Sequence, residues 1–373
     1  MRFKDGKFRI MQIADVQDAQ FTSRDYLNFI GAALDREKPD LAVFTGDQVK
    51  SYSPALKIGD RNENVAKTIR NIIAPLVKRN VPFIFTFGNH DAIDRDDRAR
   101  QTAVYESFPQ CKNGQLIYRY NSTDVTALPV FGEDGKIRFC VYMIDNCKKD
   151  SASSNGVTEE QMDALDEADE VVTDAAGGNK VPAMIFQHIP VYEMYELLEE
   201  VEEGAPGAVK GNSTHRGKWF RITPEMEERN EYMLESVAAL KQSEQFERWV
   251  KLGNIKGAFF GHDHNNSFTG EYKGIRLGYC PGSGFGAYGP GYDRAVRIFD
   301  INEFDGSFNT HTVSYRDIMG EKVENRLNFE IMNRLPSSFD AAKPMIYKAS
   351  AVLGTTVAAS IGIAVFKNSK SKK

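Results

Sequence analysis

An α/β fold with parallel strands and crossover helices is what this sequence predicts, on three observations. Short apolar runs rich in β-branched and aromatic residues alternate with segments of helical spacing through the first ninety residues. Each of these runs stops abruptly on a polar residue. The 373-residue chain is 41% hydrophobic, enough for a packed core in one large domain or two ordinary ones.

The elements follow in order. KFRIMQIAD reads as a strand ending at Asp15. Ser23 offers an N-cap to a helix carrying Leu27, Ile30, Ala33 and Leu34, which Pro39 stops. DLAVFTGD is a buried strand ending at Asp47, and Val65, Ile69, Ile72, Ile73 and Leu76 mark the next helix. VPFIFTFGNHD is a strand ending at Asn89 and His90. Further on, KIRFCVYMIDN is a strand, and Thr158 with Gln161 forms a capping box opening a helix through about Val172. VPAMIFQHI ends at His188 and IKGAFFGHD at His262. From about Ser267 short strands joined by Gly and Asp turns predict antiparallel pairing.

Charge and composition narrow the function. The formal net charge is −5, and acidic runs such as ELLEEVEEG repel phosphate backbones, so no nucleic-acid partner is expected. Cys111, Cys140, Cys147 and Cys280 form no CxxC pair, which argues against a disulfide framework or zinc knuckle and for a reducing, cytoplasmic setting. GFGAYG over Gly284–Gly289 matches GxGxxG, but no helix pattern follows it, so a dinucleotide fingerprint is rejected in favour of a loop bordering the functional edge. Residues 349–366 carry no charge and precede a basic tail, 367–373. They read either as a membrane-contacting or spanning segment that would tether the body, or as a small-residue helix packed on it.

Ligands in open α/β sheets bind where strands deliver their C-terminal ends. Here five apolar runs end on Asp15, Asp47, Asn89 with His90, His188, and His262 with His264. Singly each is weak, because Asp commonly follows a strand as a turn residue. Together they claim four of the six histidines in the chain. Carboxylate, amide and imidazole ligands suit Mn, Fe or Zn better than Ca.

The blocks IADVQ, FTGDQ, TFGNHD, FQHIP and GHDH, in this order, resemble the calcineurin-like metallophosphoesterase superfamily, and HIP with PGSGFGAYGPGYD resembles its small purple-acid-phosphatase-like branch. The resemblance implies a four-layer sandwich of two mixed β-sheets flanked by helices. It also implies two divalent or trivalent metal ions and hydrolysis of a phosphoester substrate by a metal-bound hydroxide. Asp47 would bridge the ions, Asp15 and His264 would serve the first, and Asn89, His188 and His262 the second. His90 would act as general acid, oriented by Asp91. One departure stands out. The first block of the family usually reads Asp-x-His, and here it reads Asp15-Val16-Gln17; the tyrosine that purple acid phosphatases place three residues after the bridging Asp is Lys50. Either the amide oxygen of Gln17 ligates the first ion or Gln17 hydrogen-bonds a water there; on both readings the first ion is the weaker.

The expected layout is a catalytic domain over 1–320, a long polar insertion over about 200–232 near the site, and a C-terminal extension over 321–348. Three functions remain open: a phosphomonoesterase on a phosphorylated small molecule, a phosphodiesterase on nucleotide or lipid-like diesters, and a membrane-tethered non-catalytic scaffold with a weakened metal site.

Overall fold

The computed structural model of the protein describes residues 1–147, 156–239, 241–336 and 342. Strand β1 (Lys7–Ile13) leads through helix α1 (Arg24–Glu37) to β2 (Leu41–Thr45), then through α2 (Arg61–Arg79) to β3 (Phe83–Thr86) and α3 (Arg95–Glu106). β4 (Tyr118–Tyr120), β5 (Val125–Phe131), β6 (Ile137–Ile144), α4 (Glu159–Ala175) and β7 (Ala183–Gln187) follow. Three short strands, β8 (Glu199–Val201), β9 (Val209–Lys210) and β10 (Trp219–Arg221), precede α5 (Pro224–Glu228), β11 (Tyr232–Met233) and α6 (Gln245–Leu252). The chain continues through β12 (Ile255–Phe260), β13 (Asn266–Ser267), β14 (Thr269–Tyr272), β15 (Ile275–Tyr279), β16 (Ala295–Asn302), β17 (Phe308–Ser314), α7 (Tyr315–Met319) and α8 (Arg326–Asn333).

Two mixed sheets result. One runs β17-β16-β1-β2-β3, with β1, β2 and β3 mutually parallel and β16 antiparallel to β1. The other runs β14-β15-β12-β7-β6-β5-β4, with β6, β7, β12 and β15 parallel. The period-two alternation of side chains assigns each strand two faces. Phe8 and Ile10 of β1, Leu41 and Val43 of β2, and Ile84 of β3 pack between the sheets with Phe139, Val141, Met184, Phe186 and Phe259. Met11, Ile13, Ala42, Phe44 and Phe85 face outward onto the apolar stripes of α1 and α2, Phe29, Ile30, Ile69 and Ile72 among them. Tyr142, Ile185, Ala258 and Phe260 likewise meet Leu165 and Ala168 of α4 and Trp249 of α6. Helix, sheet, sheet, helix is the four-layer sandwich.

Local signals explain the element ends. Asp60 caps α2 by accepting from the backbone N–H groups of Asn62 and Glu63. Thr158 and Gln161 form the expected capping box, and α4 runs three residues past Val172 to Ala175. Ser23 sits at the N-cap of α1 without a side-chain cap bond.

Two regions differ from the sequence reading. β5 has no counterpart in it, because Pro129 lies mid-strand and proline removes a ladder donor. The structure tolerates Pro129 because β4 pairs only with Val125–Ala127, so Pro129 lies beyond the end of its short neighbour. The polar stretch after Glu199 is not a structureless loop. β8, β10 and β9 form a small antiparallel sheet within it. The uncharged segment 349–366 lies outside the described residues. No helix among the described residues is long and apolar enough to cross a membrane.

Candidate metal centre

The sandwich brings the C-terminal ends of β1, β2 and β3 from one sheet against those of β7 and β12 from the other. Buried polar groups tie the two together at that edge. The Gln12 amide of β1 donates to Thr45 Oγ1 at 3.1 Å and to the Phe260 carbonyl at 3.0 Å. His262 N donates to Asp15 Oδ2 at 2.9 Å, joining the turn after β12 to the turn after β1. Gly88 is required beside the bridge candidate, since a Cβ there would collide with the Asp47 carboxylate.

Four of the expected ligating residues sit in the left-handed backbone region: Asp15 (φ 53°), Gln17 (φ 40°), Asp47 (φ 57°) and His262 (φ 74°). A non-glycine residue there costs roughly 1 kcal/mol or more. Hydrogen bonds between the turns hold this strain. Asp15 N donates to Gly46 O at 3.1 Å and Gln17 N to Asp47 O at 2.8 Å.

Ligand-capable atoms converge at the centre. His188 Nε2 lies 3.1 Å from Asn89 Oδ1, 3.3 Å from His262 Nδ1 and 3.5 Å from Asp47 Oδ2. Asp15, Asp47 and His188 each present a ligand atom within 4.8 Å of the other two. The remaining ring nitrogen of His188 faces the Thr45 carbonyl at 2.9 Å, and His264 Nδ1 faces the Tyr288 carbonyl at 2.8 Å. A carbonyl can only accept, so each Nδ1 carries a hydrogen and each Nε2 turns inward, the arrangement usual for metal-ligating imidazoles. Asp15 Oδ1 is buried with no hydrogen-bond donor and lies 3.3 Å from His264 Nε2. These lone pairs fit a cation.

The electrostatics agree. Burial pulls the His188 ring down, but Asp47 and then Asp15 outweigh it and raise it to about 10. Burial pushes the Asp47 carboxyl up, yet His188, His90 and the His90 N–H hold it well below the usual carboxylate range. The pocket therefore favours an ionised Asp47 and positive charge at its side.

His90 stands at the rim. Its side chain is 27% exposed, its Nε2 lies 3.9 Å from Asp47 Oδ2, and its ring packs against Tyr52 at 4.9 Å. Asp91, expected to orient that ring, commits its carboxylate to backbone: Val49 N at 2.7 Å, Asp47 N at 2.7 Å and Gly88 N at 2.6 Å. It clamps the turns carrying Asp47 and Asn89, and so places His90 N, which donates to Asp47 Oδ1 at 2.7 Å. Burial, then the Asp47 charge, pushes Asp91 up to about 7. Asp263, between the two histidines, accepts from Tyr279 Oη at 2.6 Å and from Ala238 N at 2.9 Å.

Gln17 occupies the opposite flank. Its Nε2 donates to Asp47 Oδ2 at 2.8 Å and lies 3.2 Å from His264 Nε2, while its Oε1 accepts from Tyr52 Oη at 3.2 Å. Lys50 turns to the Gly286 carbonyl at 2.8 Å.

Sequence reasoning missed the support given by two residues, Tyr288 and Arg294. Tyr288 stacks on His264 at 4.2 Å with rings 3° from parallel. Arg294 is buried and donates to the carbonyls of Gly284 and Ala287 and to Asn333 Oδ1, fixing the glycine-rich loop. That loop presses on the first block, where a Cβ on Gly284 would collide with the Val16 carbonyl. The insertion is also tied in: Asn212 N donates to Tyr195 Oη, and Tyr195 Oη to Val237 O, next to the Ala238 N–H that holds Asp263. His215 packs against Tyr195 with ring centroids 3.9 Å apart and planes tilted by 32°. Only spacing signals for aromatic residues were legible here, and they do not separate packing from function.

A two-sheet sandwich with aspartates, an asparagine and histidines meeting at one edge defines a metal-dependent phosphoesterase. The Calcineurin-like phosphoesterase profile matches residues 8–266, and the chain belongs to that family. It is 25% identical over 343 residues to Probable inactive purple acid phosphatase 28 of Arabidopsis thaliana, covering 80% of this chain and 77% of that one. It is 24% identical over 347 residues to Phosphatase DCR2 of Saccharomyces cerevisiae, covering 82% of this chain and 53% of that protein. Among solved structures, a dimetal phosphatase from Danio rerio aligns with TM-score 0.46 at 14% identity, over 82% of this chain and 98% of that one.

Proposed function

We propose that the chain hydrolyses a phosphate ester at the Asp15, Asp47, Asn89, His188, His262 and His264 cluster, with His90 protonating the leaving oxygen. The observation that carries this reading is the meeting of His188 Nε2 with Asn89, His262 and Asp47 acceptors within 3.5 Å. Cations held there supply charge neutralisation for the phosphoryl oxygens and activation of water. The rest falls to the chain. Asp47 and the imidazoles hold ligand atoms in preset directions. Asp91 fixes the two turns that carry them, and Tyr52 walls one side of His90.

His90 is the group best placed to hand over a proton: half-buried, beside the cluster and open to solvent. The test is His90→Gln with metal content measured. Turnover of an alkyl phosphate, whose leaving group needs a proton, should fall about 10²–10⁴-fold. Turnover of an aryl phosphate with an acidic leaving group should fall less. Equal losses on both substrates would remove His90 as the proton donor. Running phosphomonoesters beside diesters assigns the substrate class.

A second, non-catalytic reading draws on Gln17 in the first block and on the word inactive in the name of the Arabidopsis relative. Metal-replete protein without turnover on any phosphoester would favour it.

A further inference from the structure

We infer that the two halves of the centre are unequal: the chain holds one ion tightly, and the Gln17 amide is built into the place of the first. This rests on the metal-site reading above. The argument starts from what faces the Gln17 side chain. Asp47 Oδ2 is a carboxylate oxygen and only accepts. In the neutral tautomer that gives its Nδ1 hydrogen to Tyr288 O, His264 Nε2 is an acceptor as well. Two acceptors, at 2.8 and 3.2 Å, select the NH₂ end of the amide. The carbonyl end then turns to the Tyr52 hydroxyl at 3.2 Å, a donor. Both ends of the amide therefore have a partner.

The lone pairs that receive the amide hydrogens are those a first ion would use. A bridging oxygen needs a cation on each side, and Asp47 Oδ2, 3.5 Å from His188 Nε2, has an N–H donor in the second place. Seating the first ion requires the amide to rotate by half a turn and present Oε1. It must also break both donor contacts and reverse the role of Tyr52. The other half keeps the full set of ligating types, with Asn89 Oδ1 and His262 Nδ1 within 3.3 Å of His188 Nε2. Gln17 is 3% exposed, so water does not readily take over its hydrogen bonds.

The experiment is metal titration of stripped full-length protein with Mn²⁺, read by elemental analysis and by electron paramagnetic resonance. Native protein should bind one ion tightly, with an isolated six-line signal, and a second about 100-fold more weakly. Gln17→His and the near-isosteric Gln17→Glu, which exchange the amide for ligating groups, should bring the two affinities together and produce the exchange-coupled signal of a metal pair. Two equally tight ions in native protein would overturn the inference while leaving the metal site intact. No tight ion would overturn the metal-site reading itself. The native measurement decides even if a variant fails to fold.

Discussion

The two sides of the cluster, Asn89, His188 and His262 on one and Asp15, Gln17 and His264 on the other, differ in residue type and in what surrounds them. On the His188 side, Asn89 Oδ1, His262 Nδ1 and Asp47 Oδ2 lie within 3.5 Å of His188 Nε2, and the Thr45 carbonyl fixes the ring. On the His264 side, the equivalent atoms meet the amide of Gln17, the stacked ring of Tyr288 and a loop held by Arg294. On the inference above, the His188 side is arranged around a charge brought from outside. The His264 side satisfies much of its hydrogen bonding from within. On that inference the donors already present, and not ligand identity alone, set affinity.

That contrast can be broken most directly by truncating each half. His188→Ala should weaken metal binding about 100-fold, and His264→Ala by about 10-fold or less, measured as dissociation constants on stripped protein. Equal losses would mean that the halves share one ion or bind two alike. A smaller effect concerns the support of the weaker half. Arg294→Lys keeps the charge but loses the fork that spans Gly284, Ala287 and Asn333. Global stability should fall by roughly 2–3 kcal/mol in denaturant unfolding, with the tight ion retained. Loss of that ion would show that the loop supports both halves.

A pH dependence of comparable size is expected under the same flank. Asp18 accepts from Ala19 N and Ser23 N, but burial outweighs these bonds and pushes its carboxyl up to about 6. Its unfolded value is about 3.9. The folded chain therefore binds more protons between those limits, so this group favours folding in its protonated form. Stability should fall as pH rises from about 4 to 6, by at most roughly 3 kcal/mol, and Asp18→Asn should flatten that part of the profile. Unfolding free energies of both proteins across that range check it. An unchanged slope would place the titration elsewhere.

Much of the fold was readable from short-range pattern. β1, α1, β2, α2 and β3 follow apolar period and stop signals, and the five polar strand ends stood out together because they gather four of the six histidines of the chain. β5 was hidden because Pro129 carries a penalty that only the shortness of β4 removes. Arg294 and Tyr288 were hidden because nothing in their neighbourhood distinguishes a surface arginine or packing tyrosine from one that shapes a ligand.

By itself, then, the sequence determined which side chains would lie at strand ends, since hydrophobic periodicity acts over a few residues and is written locally. It also marked Gln17 as the odd member of the first block. Tertiary structure alone decided which way that amide points, which carbonyls orient His188 and His264, and that the Asp91 carboxylate binds backbone. Those outcomes depend on donors and acceptors brought together from positions as far apart as Gln17 and His264, and a hydrogen bond has direction only once both partners are in place.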